Sequence, residues 1–210
     1  MIKNVVFIGD SMTSGENNNF KSFVHYYKEM NPDKGVAILG VSGSCFGDYS
    51  IYPVKENLFS IIDNNQEVLS RADLIVIEFG TNDAAAVSLG YVDQLKVYIS
   101  INRAVDYIKQ ISHANLLFIL SMDINHSLST DCLFKYQNYL NYEYFLDGIS
   151  CNLVELQSAY SHIQFFIERN FEVFFMNESL FNNYDKDNIH PNDKGYREFA
   201  ERLTKYINEY

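Results

Sequence analysis

Short apolar runs alternate along the chain with longer segments whose apolar residues recur every three or four positions. The runs that have the length of a strand cover residues 5–8, 36–41, 74–77, 116–120 and 173–175. Each run is apolar at consecutive positions, which is typical of strands that are covered on both faces. Strand and helix in alternation predict an α/β fold, with helices packed on both sides of a parallel sheet.

The helical segments are recognised by apolar residues that share one face. Four such sets are Phe20, Phe23, Tyr27 and Met30; Leu58, Ile61, Ile62 and Leu69; Leu95, Ile99, Ala104, Val105, Ile108 and Ile111; and Tyr196, Phe199, Leu203 and Ile207. Residues 127–170 are predicted to be mostly helical, with a break near Gly148. No linker rich in Pro, Gly or Ser divides the chain, so residues 1–210 are predicted to form a single domain.

Composition and charge exclude several classes of function. The 210 residues carry a net charge of −11 and no basic cluster, which argues against nucleic-acid binding and against docking on anionic membranes. The apolar run near the start is too short for a signal peptide, and no stretch approaches transmembrane length. Three scattered cysteines form neither a disulfide framework nor a metal-binding spacing. We therefore expect a cytoplasmic protein without membrane insertion.

Four polar blocks lie where predicted strands end. They are Gly-Asp-Ser at 9–11, Val-Ser-Gly at 41–43, Gly-Thr-Asn-Asp at 80–83 and Asp-Asn-Ile-His-Pro at 187–191. The carboxyl ends of parallel strands meet at one edge of the sheet, where function usually gathers. The blocks supply a serine, a histidine, a carboxylate and hydrogen-bond donors, which together are the parts needed for acyl transfer.

A catalytic triad can be assembled from these blocks. Ser11 is the candidate nucleophile, although the same turn would also suit a residue that caps a helix. His190 is the candidate general base, and Asp187, three residues earlier, is the carboxylate expected to orient it. Asp185 is a competing carboxylate and Asp193 a weaker one. Of the other histidines, His25, His113 and His162 fall in helical segments and His126 follows the fourth strand.

An oxyanion hole is predicted from Ser11, Gly43 and Asn82. The first two would offer backbone N–H groups and Asn82 a side-chain N–H, while Gly40 and Gly47 are rivals of Gly43. Asp83 is predicted to hold its loop by accepting backbone hydrogen bonds. Residues that could contact substrate are Asp10, Phe46, Tyr49, Tyr52, Asp123, Asn125 and His126.

No residue set indicates a cofactor. The histidines, cysteines and carboxylates show no metal-ligand spacing, and the glycine-containing stretch at 9–15 lacks the lysine of a P-loop. No Gly-x-Gly-x-x-Gly pattern opens a helix. The chemistry is therefore expected to come from side chains and backbone alone, with neither metal nor nucleotide.

The four blocks together resemble those of the SGNH hydrolase superfamily, also called GDSL esterases and lipases. Met12 stands where the family name has leucine, and Asn188 replaces a frequent glycine. The resemblance covers residues 5–200. It implies a flavodoxin-like three-layer α/β/α sandwich, with a five-stranded parallel sheet in the order 2-1-3-4-5 and no cofactor. It also implies a Ser-His-Asp hydrolase of esters or thioesters, with Ser11, Gly43, Asn82, Asp187 and His190 in the catalytic roles.

A carboxylic ester hydrolase is the leading hypothesis, with an O-acetylesterase acting on a carbohydrate as the favoured form. The chain lacks an interfacial apolar helix for phospholipid, and polar and aromatic loop residues near the site suit a sugar. An O-acyltransferase, a lysophospholipase or a thioesterase would use the same site, although few basic residues are present to bind coenzyme A. A non-catalytic carbohydrate-binding module is the alternative of another class. The partner is thus a small-molecule or glycan ester, and the sequence carries no sign of an oligomeric state.

Overall fold

Five parallel strands form one sheet in the computed structural model, which describes residues 2–54, 56–88, 90–120, 172–175, 183, 185 and 190–209. The strands are β1 (Asn4–Gly9), β2 (Gly35–Gly40), β3 (Leu74–Glu78), β4 (Asn115–Leu120) and β5 (Glu172–Phe175). Their order in the sheet is β2-β1-β3-β4-β5. The predicted fold class and strand order are confirmed.

The described helices separate and follow these strands. They are α1 (Ser11–Ser14), α2 (Phe23–Met30), α3 (Leu58–Asn64), α4 (Gln66–Ser70), α5 (Thr81–Ser88), α6 (Gln94–Ile111) and α7 (Asp193–Glu209), with a 3₁₀ turn at Glu16–Asn18. Within the described ranges, no helix combines the length and apolar character needed to cross a bilayer.

The two faces of the sheet bury separate cores, because successive strand residues point to opposite sides. Val5, Phe7, Leu74 and Val76 pack with α2 and α7 on one face. Val6, Ile8, Ile75 and Ile77 pack with α3, α4 and α6 on the other. Burial of both faces explains why consecutive positions in the middle of the strands are apolar and why a three-layer sandwich results.

The register brings the ends of three strands level. Gly9 at the end of β1 pairs with Gly40 of β2 and with Glu78 of β3. Their connections to α1, to the loop after β2 and to α5 therefore leave the same edge of the sheet. Three of the four polar blocks start from this edge.

The predicted helices differ from the structure in three details. The second apolar set is divided into α3 and α4 at Asn65, whose side chain donates to the Ile61 carbonyl at 2.8 Å and competes with the backbone. Phe20 lies before α2, at a φ of 61°, and 62% of its surface is exposed. Ser22 caps α2 instead by accepting the Val24 N–H at 3.1 Å.

The inward face of α6 was predicted incorrectly at its first turns. Leu95 and Ile99 are 64% and 48% exposed, whereas Val97 and Ile101 are buried. Two residues correspond to about half a helical turn, so the two pairs point to opposite sides. Ala104, Val105 and Ile108 are buried as predicted. The predictions for residues 127–170, including the break at Gly148, lie outside the described residues.

Replacing a buried and an exposed leucine tests this assignment of helix faces. Leu203→Ala should lower the free energy of unfolding by about 2–5 kcal/mol, because Leu203 of α7 is fully buried. Leu95→Ala removes the same atoms from the exposed side of α6 and should change it by less than about 0.5 kcal/mol. Urea unfolding of both variants measures the difference, and equal losses would contradict the orientation of α6.

Candidate active site

Ser11 lies on a tight turn between β1 and α1. Asp10 caps the helix, accepting the Met12 N–H on Oδ1 at 2.9 Å, and its carbonyl accepts the Ser14 N–H at 2.9 Å. Ser11 is thus the first helical residue, and its side chain is partly exposed at the sheet edge. The capping role that the sequence left open for Ser11 belongs to its neighbour Asp10.

Two glycines let α1 pack directly against the sheet. A Cβ on Gly9 would lie 2.0 Å from Oγ1 of Thr13, and one on Gly40 would lie 2.4 Å from the Ser14 nitrogen. Neither clash involves the free end of a long flexible side chain, so a larger residue would displace α1 and with it Ser11. The packing of α1 accounts for Gly40, one of the two rivals of Gly43.

His190 reaches Ser11 from the other end of the chain. Its Nε2 lies 2.8 Å from Ser11 Oγ, although 179 positions separate the two residues. The backbone around His190 is held by two hydrogen bonds of 2.8 Å, from the Asp185 N–H to the His190 carbonyl and from the Asn192 N–H to the Asn183 carbonyl. Asn192 then caps α7 by accepting the Gly195 N–H at 3.0 Å.

The segment after α1 fastens the histidine loop to the serine turn. The Asn17 side chain donates to the Pro191 carbonyl at 3.4 Å and accepts the Tyr196 hydroxyl at 2.9 Å. The carboxylate of Asp193 accepts hydrogen bonds from Tyr26 and Asn18. These contacts couple the position of α7, and therefore of His190, to the elements that carry Ser11.

Gly43 adopts a backbone conformation that favours glycine. Its φ is +78°, and a Cβ there would lie 2.8 Å from Val54 Cγ2. The Ser50 hydroxyl donates to the Gly43 carbonyl at 2.6 Å, which fixes the orientation of this peptide group. At Gly47, by contrast, a Cβ would meet the Tyr49 ring at 2.4 Å, so side-chain packing explains that glycine.

Asn82 joins three of the polar blocks with one amide group. Its Nδ2 donates to Asp10 Oδ2 at 2.9 Å and to the Ser44 carbonyl at 3.1 Å. Asp10 precedes Ser11, and Ser44 follows Gly43, so the amide ties both neighbouring segments to the start of α5. The side chain is 7% exposed, and both amide hydrogens already have acceptors in this arrangement.

Comparison with protein-family models gives one match. The model of the GDSL-like lipase/acylhydrolase family matches residues 7–198. The chain belongs to this family. The resemblance drawn from the four blocks is thereby confirmed, and the protein is related to hydrolases of acyl esters. None of the curated proteins matches the chain.

Solved structures of GDSL-type and esterase proteins share the fold over almost their whole length. Est24, a carbohydrate acetylesterase from Sinorhizobium meliloti, is 11% identical, with 99% of each chain covered and a TM-score of 0.68. The inhibitor-bound aryl esterase of M. smegmatis is 13% identical, again with 99% of each chain covered and a TM-score of 0.68. A lipolytic G-D-S-L family protein from Veillonella parvula is 19% identical, with 99% of this chain and 100% of the other covered and a TM-score of 0.65. At such identities the likeness shows the fold.

Several predicted site residues of this GDSL-family chain fall outside the described ranges. They are Asp187, Asn125 and His126, and Asp123 among the substrate candidates. The competing carboxylate Asp185 contacts the histidine loop through its backbone N–H. The Asp193 carboxylate accepts hydrogen bonds from Tyr26 and Asn18. The choice of Asp187 stays a prediction.

Three of the predicted substrate contacts have buried side chains. Phe46 is 1% exposed, and its ring packs 5.3 Å from that of Phe79. Asp10 is fully buried and accepts hydrogen bonds from Met12 and Asn82, and Tyr49 is 8% exposed and donates its hydroxyl to Asp83. None of these three predictions of direct substrate contact fits this placement, because the Phe46 ring belongs to the core and the other two side chains to internal hydrogen bonds. Tyr52, in contrast, is 46% exposed and borders Gly43.

Asp83 has the structural role that the sequence predicted. Its Oδ1 accepts the Phe46 N–H at 3.0 Å and the Tyr49 hydroxyl at 2.7 Å, so it anchors the loop after Gly43. Burial raises the pKa of Asp83 to about 7, against the opposing effect of the hydrogen bond from Tyr49.

Within the described residues, no group of three or more His, Cys, Asp and Glu side chains is arranged to hold a metal ion.

Two residues of the network around Ser11 were not predicted from the sequence. Glu78, the last residue of β3, is 1% exposed and accepts the Thr13 hydroxyl at 2.9 Å. A carboxylate that ends an otherwise apolar, buried strand is the signal that could have identified it. Asn17 carried no comparable signal, because its asparagine-rich segment is typical of an ordinary surface turn.

Proposed function

We propose that the protein is a serine hydrolase of carboxylic esters, with Ser11 as the nucleophile and His190 as the general base. The observation that carries the proposal is the distance of 2.8 Å between His190 Nε2 and Ser11 Oγ. A serine hydroxyl becomes an effective nucleophile when an adjacent base takes its proton, and this pair is at hydrogen-bond distance.

The proposed reaction has two acyl-transfer steps. Ser11 Oγ forms a bond to the ester carbonyl carbon while His190 accepts the hydroxyl proton. The tetrahedral intermediate then breaks its bond to the alcohol oxygen, and His190 returns the proton to the departing alcohol. Water attacks the acyl-serine in the same way, releasing the carboxylic acid and restoring Ser11.

The proposed oxyanion hole combines the N–H groups of Ser11 and Gly43 with the amide of Asn82. The positive φ of Gly43 and the lack of room for a Cβ beside Val54 suit glycine at this position, and the hydrogen bond from Ser50 to the Gly43 carbonyl supports the preorganisation that catalysis requires. Asn82 donates to Asp10 and Ser44 in the described arrangement, so it would have to share one hydrogen with a developing oxyanion. The Ser44 carbonyl, at the longer distance of 3.1 Å, is the neutral partner and the easier one to share.

An O-acetyl group on a carbohydrate is the substrate class that we favour. Tyr52 is exposed beside Gly43 and offers a ring on which a sugar could stack. A net charge of −11 does not favour the phosphates of coenzyme A. The shared fold of a carbohydrate acetylesterase agrees with this proposal but does not decide it, because one fold serves many substrates.

We retain the cytoplasm as the predicted location of the protein.

Transfer of the acyl group to a sugar hydroxyl instead of water is the second enzymatic candidate. It uses the same residues and differs only in what enters after acylation. A lysophospholipase or thioesterase would likewise retain them. A non-catalytic carbohydrate-binding module has less support, because the hydrogen-bond distance between Ser11 and His190 has no evident use in a site that only binds.

Replacing the nucleophile is the direct test of the proposed function. The wild-type protein should be labelled by a fluorophosphonate probe, and Ser11→Ala should abolish the labelling. The same variant should lower kcat on a chromogenic ester by at least about 10³-fold. Ser14→Ala is the matched control, because Ser14 lies on the same short helix and should keep the labelling. Equal labelling of wild type and Ser11→Ala would reject the assignment.

The triad carboxylate can be identified by paired substitutions. Asp187→Asn should lower kcat by roughly 10²–10⁴-fold, because an amide would favour the wrong tautomer of His190. Asp185→Asn should leave kcat within a few-fold of wild type. Steady-state kinetics of both variants on one ester decides between them, and the reverse order of effects would transfer the role to Asp185.

Acyl-chain length separates the substrate classes. We expect kcat/KM to be highest for acetyl esters in a series of chromogenic esters and to fall as the chain lengthens. Activity on an O-acetylated oligosaccharide, followed by release of acetate, would extend the result to the carbohydrate. A preference for long acyl chains would contradict the acetylesterase proposal and favour a lysophospholipase. Product analysis with a sugar acceptor present distinguishes transfer from hydrolysis.

A further inference from the structure

The carboxyl group of Glu78 lies buried below the Ser11 turn without a complete set of partners. Glu78 is 1% exposed and pairs in register with Gly9, the residue before Asp10. Its Oε2 accepts the Thr13 hydroxyl at 2.9 Å. Its Oε1 is buried and accepts no hydrogen bond from any described residue. A buried carboxylate oxygen without a donor is costly, so Glu78 is poorly placed to be ionised.

Asp10, unlike Glu78, has a hydrogen-bond donor for each of its two carboxyl oxygens. Its Oδ1 accepts the Met12 N–H at 2.9 Å and its Oδ2 accepts the Asn82 amide at 2.9 Å. Complete burial raises the pKa of Asp10 to about 6, while these donors and the attraction to His190 lower it and so favour the ionised form at neutral pH. Its carboxyl group is within hydrogen-bond reach of Glu78. Of the two acids, Asp10 therefore has the surroundings of a carboxylate.

Two adjacent buried carboxyl groups do not both ionise readily, because their charges repel strongly where burial lowers the effective dielectric constant. Burial and the negative charge of Asp10 raise the pKa of Glu78 well above its ordinary range. The unpartnered Oε1 is then explained, because a protonated oxygen donates a hydrogen bond instead of accepting one.

We propose that Glu78 is a protonated positioning residue, whose carboxylic acid donates a hydrogen bond to Asp10 and holds it ionised beneath Ser11. Asp10 in turn fixes the amide of Asn82 and the first turn of α1. Glu78 thus acts on the reaction through Asp10, without touching the substrate. Its catalytic consequence rests on the proposed function, whereas its protonation does not.

Other titratable groups face this pair from several elements. His190 attracts the charge of Asp10, and Asp83 of α5 repels it. The buried thiol of Cys45, in the loop after β2, has its pKa raised by burial and by Asp83 and Asp10, which keeps it neutral. A measurement must therefore isolate Glu78 by substitution, since pH changes alone would titrate its neighbours too.

The protonation state can be measured by infrared spectroscopy of the full chain at neutral pH. We expect the wild-type spectrum minus that of Glu78→Gln to contain the carbonyl band of a protonated carboxylic acid, because Asp83, whose pKa is about 7, contributes to both spectra and cancels. Glu67→Gln is the matched control, because Glu67 is 78% exposed and pairs with Arg71. It should keep the band. If the difference spectrum contains no such band, the proposal is overturned.

The pH dependence of unfolding gives an independent test. Unfolded Glu78 loses its proton near its ordinary pKa of 4.5, whereas folded Glu78 keeps it. This contribution to stability is therefore fully present below 4.5 and is lost progressively as pH rises toward the folded pKa. Glutamine has no such proton to lose. Glu78→Gln should gain stability relative to wild type between pH 5 and 8, with a slope difference of up to one proton. A constant difference would contradict the proposal.

Kinetics tests whether the hydrogen bond positions the site. Glu78→Met fills similar space without a donor and should lower kcat by roughly 10–100-fold, the range typical of outer-shell partners, with a smaller change in KM. Glu78→Gln retains an N–H donor toward Asp10 and should restore most of that loss. Wild-type kcat in Glu78→Met, or equal losses in both variants, would overturn the positioning role. If Glu78→Met does not fold, the infrared band and the slope of Glu78→Gln still decide.

Failure of the proposed function would leave a different pattern. If Ser11→Ala were as active as wild type, the hydrolase assignment would fall, while the infrared band and the unfolding slope would stand. If the band were absent but Ser11→Ala inactive, only the role of Glu78 would be rejected.

Discussion

The arrangement of the site depends on the hydrogen bonds that the buried carboxyl group of Asp10 accepts. This group starts α1 by accepting the Met12 N–H, and it holds Asn82 at the start of α5. Through Asn82 it is also linked to the Ser44 carbonyl, after Gly43. One side chain thus ties together segments that leave three different strands. Because the Asp10 carboxylate is fully buried, loss of its hydrogen-bond donors would leave an uncompensated charge inside the protein. Arrangements of the three segments that displace these donors are therefore strongly destabilised.

The parallel sheet makes this convergence possible. Gly9, Gly40 and Glu78 end their strands at one level, so the connections that follow are forced into one small volume. Helix α1 can lie close to the sheet because Gly9 and Gly40 have no Cβ atom, which would clash with α1. His190 lies on the loop before α7, and α7 packs with α2 on one face of the sheet. The distance between Ser11 and His190 therefore depends on the core between α2, α7 and the sheet as well as on the loops.

The sequence predicted the features that follow from local patterns. Continuous apolar runs located all five strands, and the heptad-like spacing of Tyr196, Phe199, Leu203 and Ile207 identified the buried face of α7. The burial of individual apolar residues by tertiary packing was harder to predict. Leu95 and Val97 are both apolar, and only packing decides which of them is buried. Phe46 was expected near substrate, but its contact with Phe79 could be found only once the segment after β3 and the loop after β2 were brought together.

Prediction of the site had the same limit. Ser11 and His190 were paired from their types and positions, and the structure brings them to 2.8 Å. Glu78 and Asn17 were not found, because their importance comes from partners distant in sequence, Asp10 and Thr13 for the first and Pro191 and Tyr196 for the second. The substrate is not encoded in the four blocks at all, since the parts for acyl transfer do not depend on what is acylated.

A single negative charge below the nucleophile has a further electrostatic consequence. In the proposed mechanism, His190 becomes an imidazolium when it accepts the Ser11 proton, and the Asp10 carboxylate attracts that charge. Two ionised carboxylates would attract it more strongly, but they would also repel each other and the developing oxyanion. With both acids neutral, neither the imidazolium nor the Asn82 amide would have a charged partner. With the proton on Glu78 and Asp10 ionised, as proposed above, the pair carries one negative charge. That charge orients the donors of the site and repels the developing oxyanion less than two charges would.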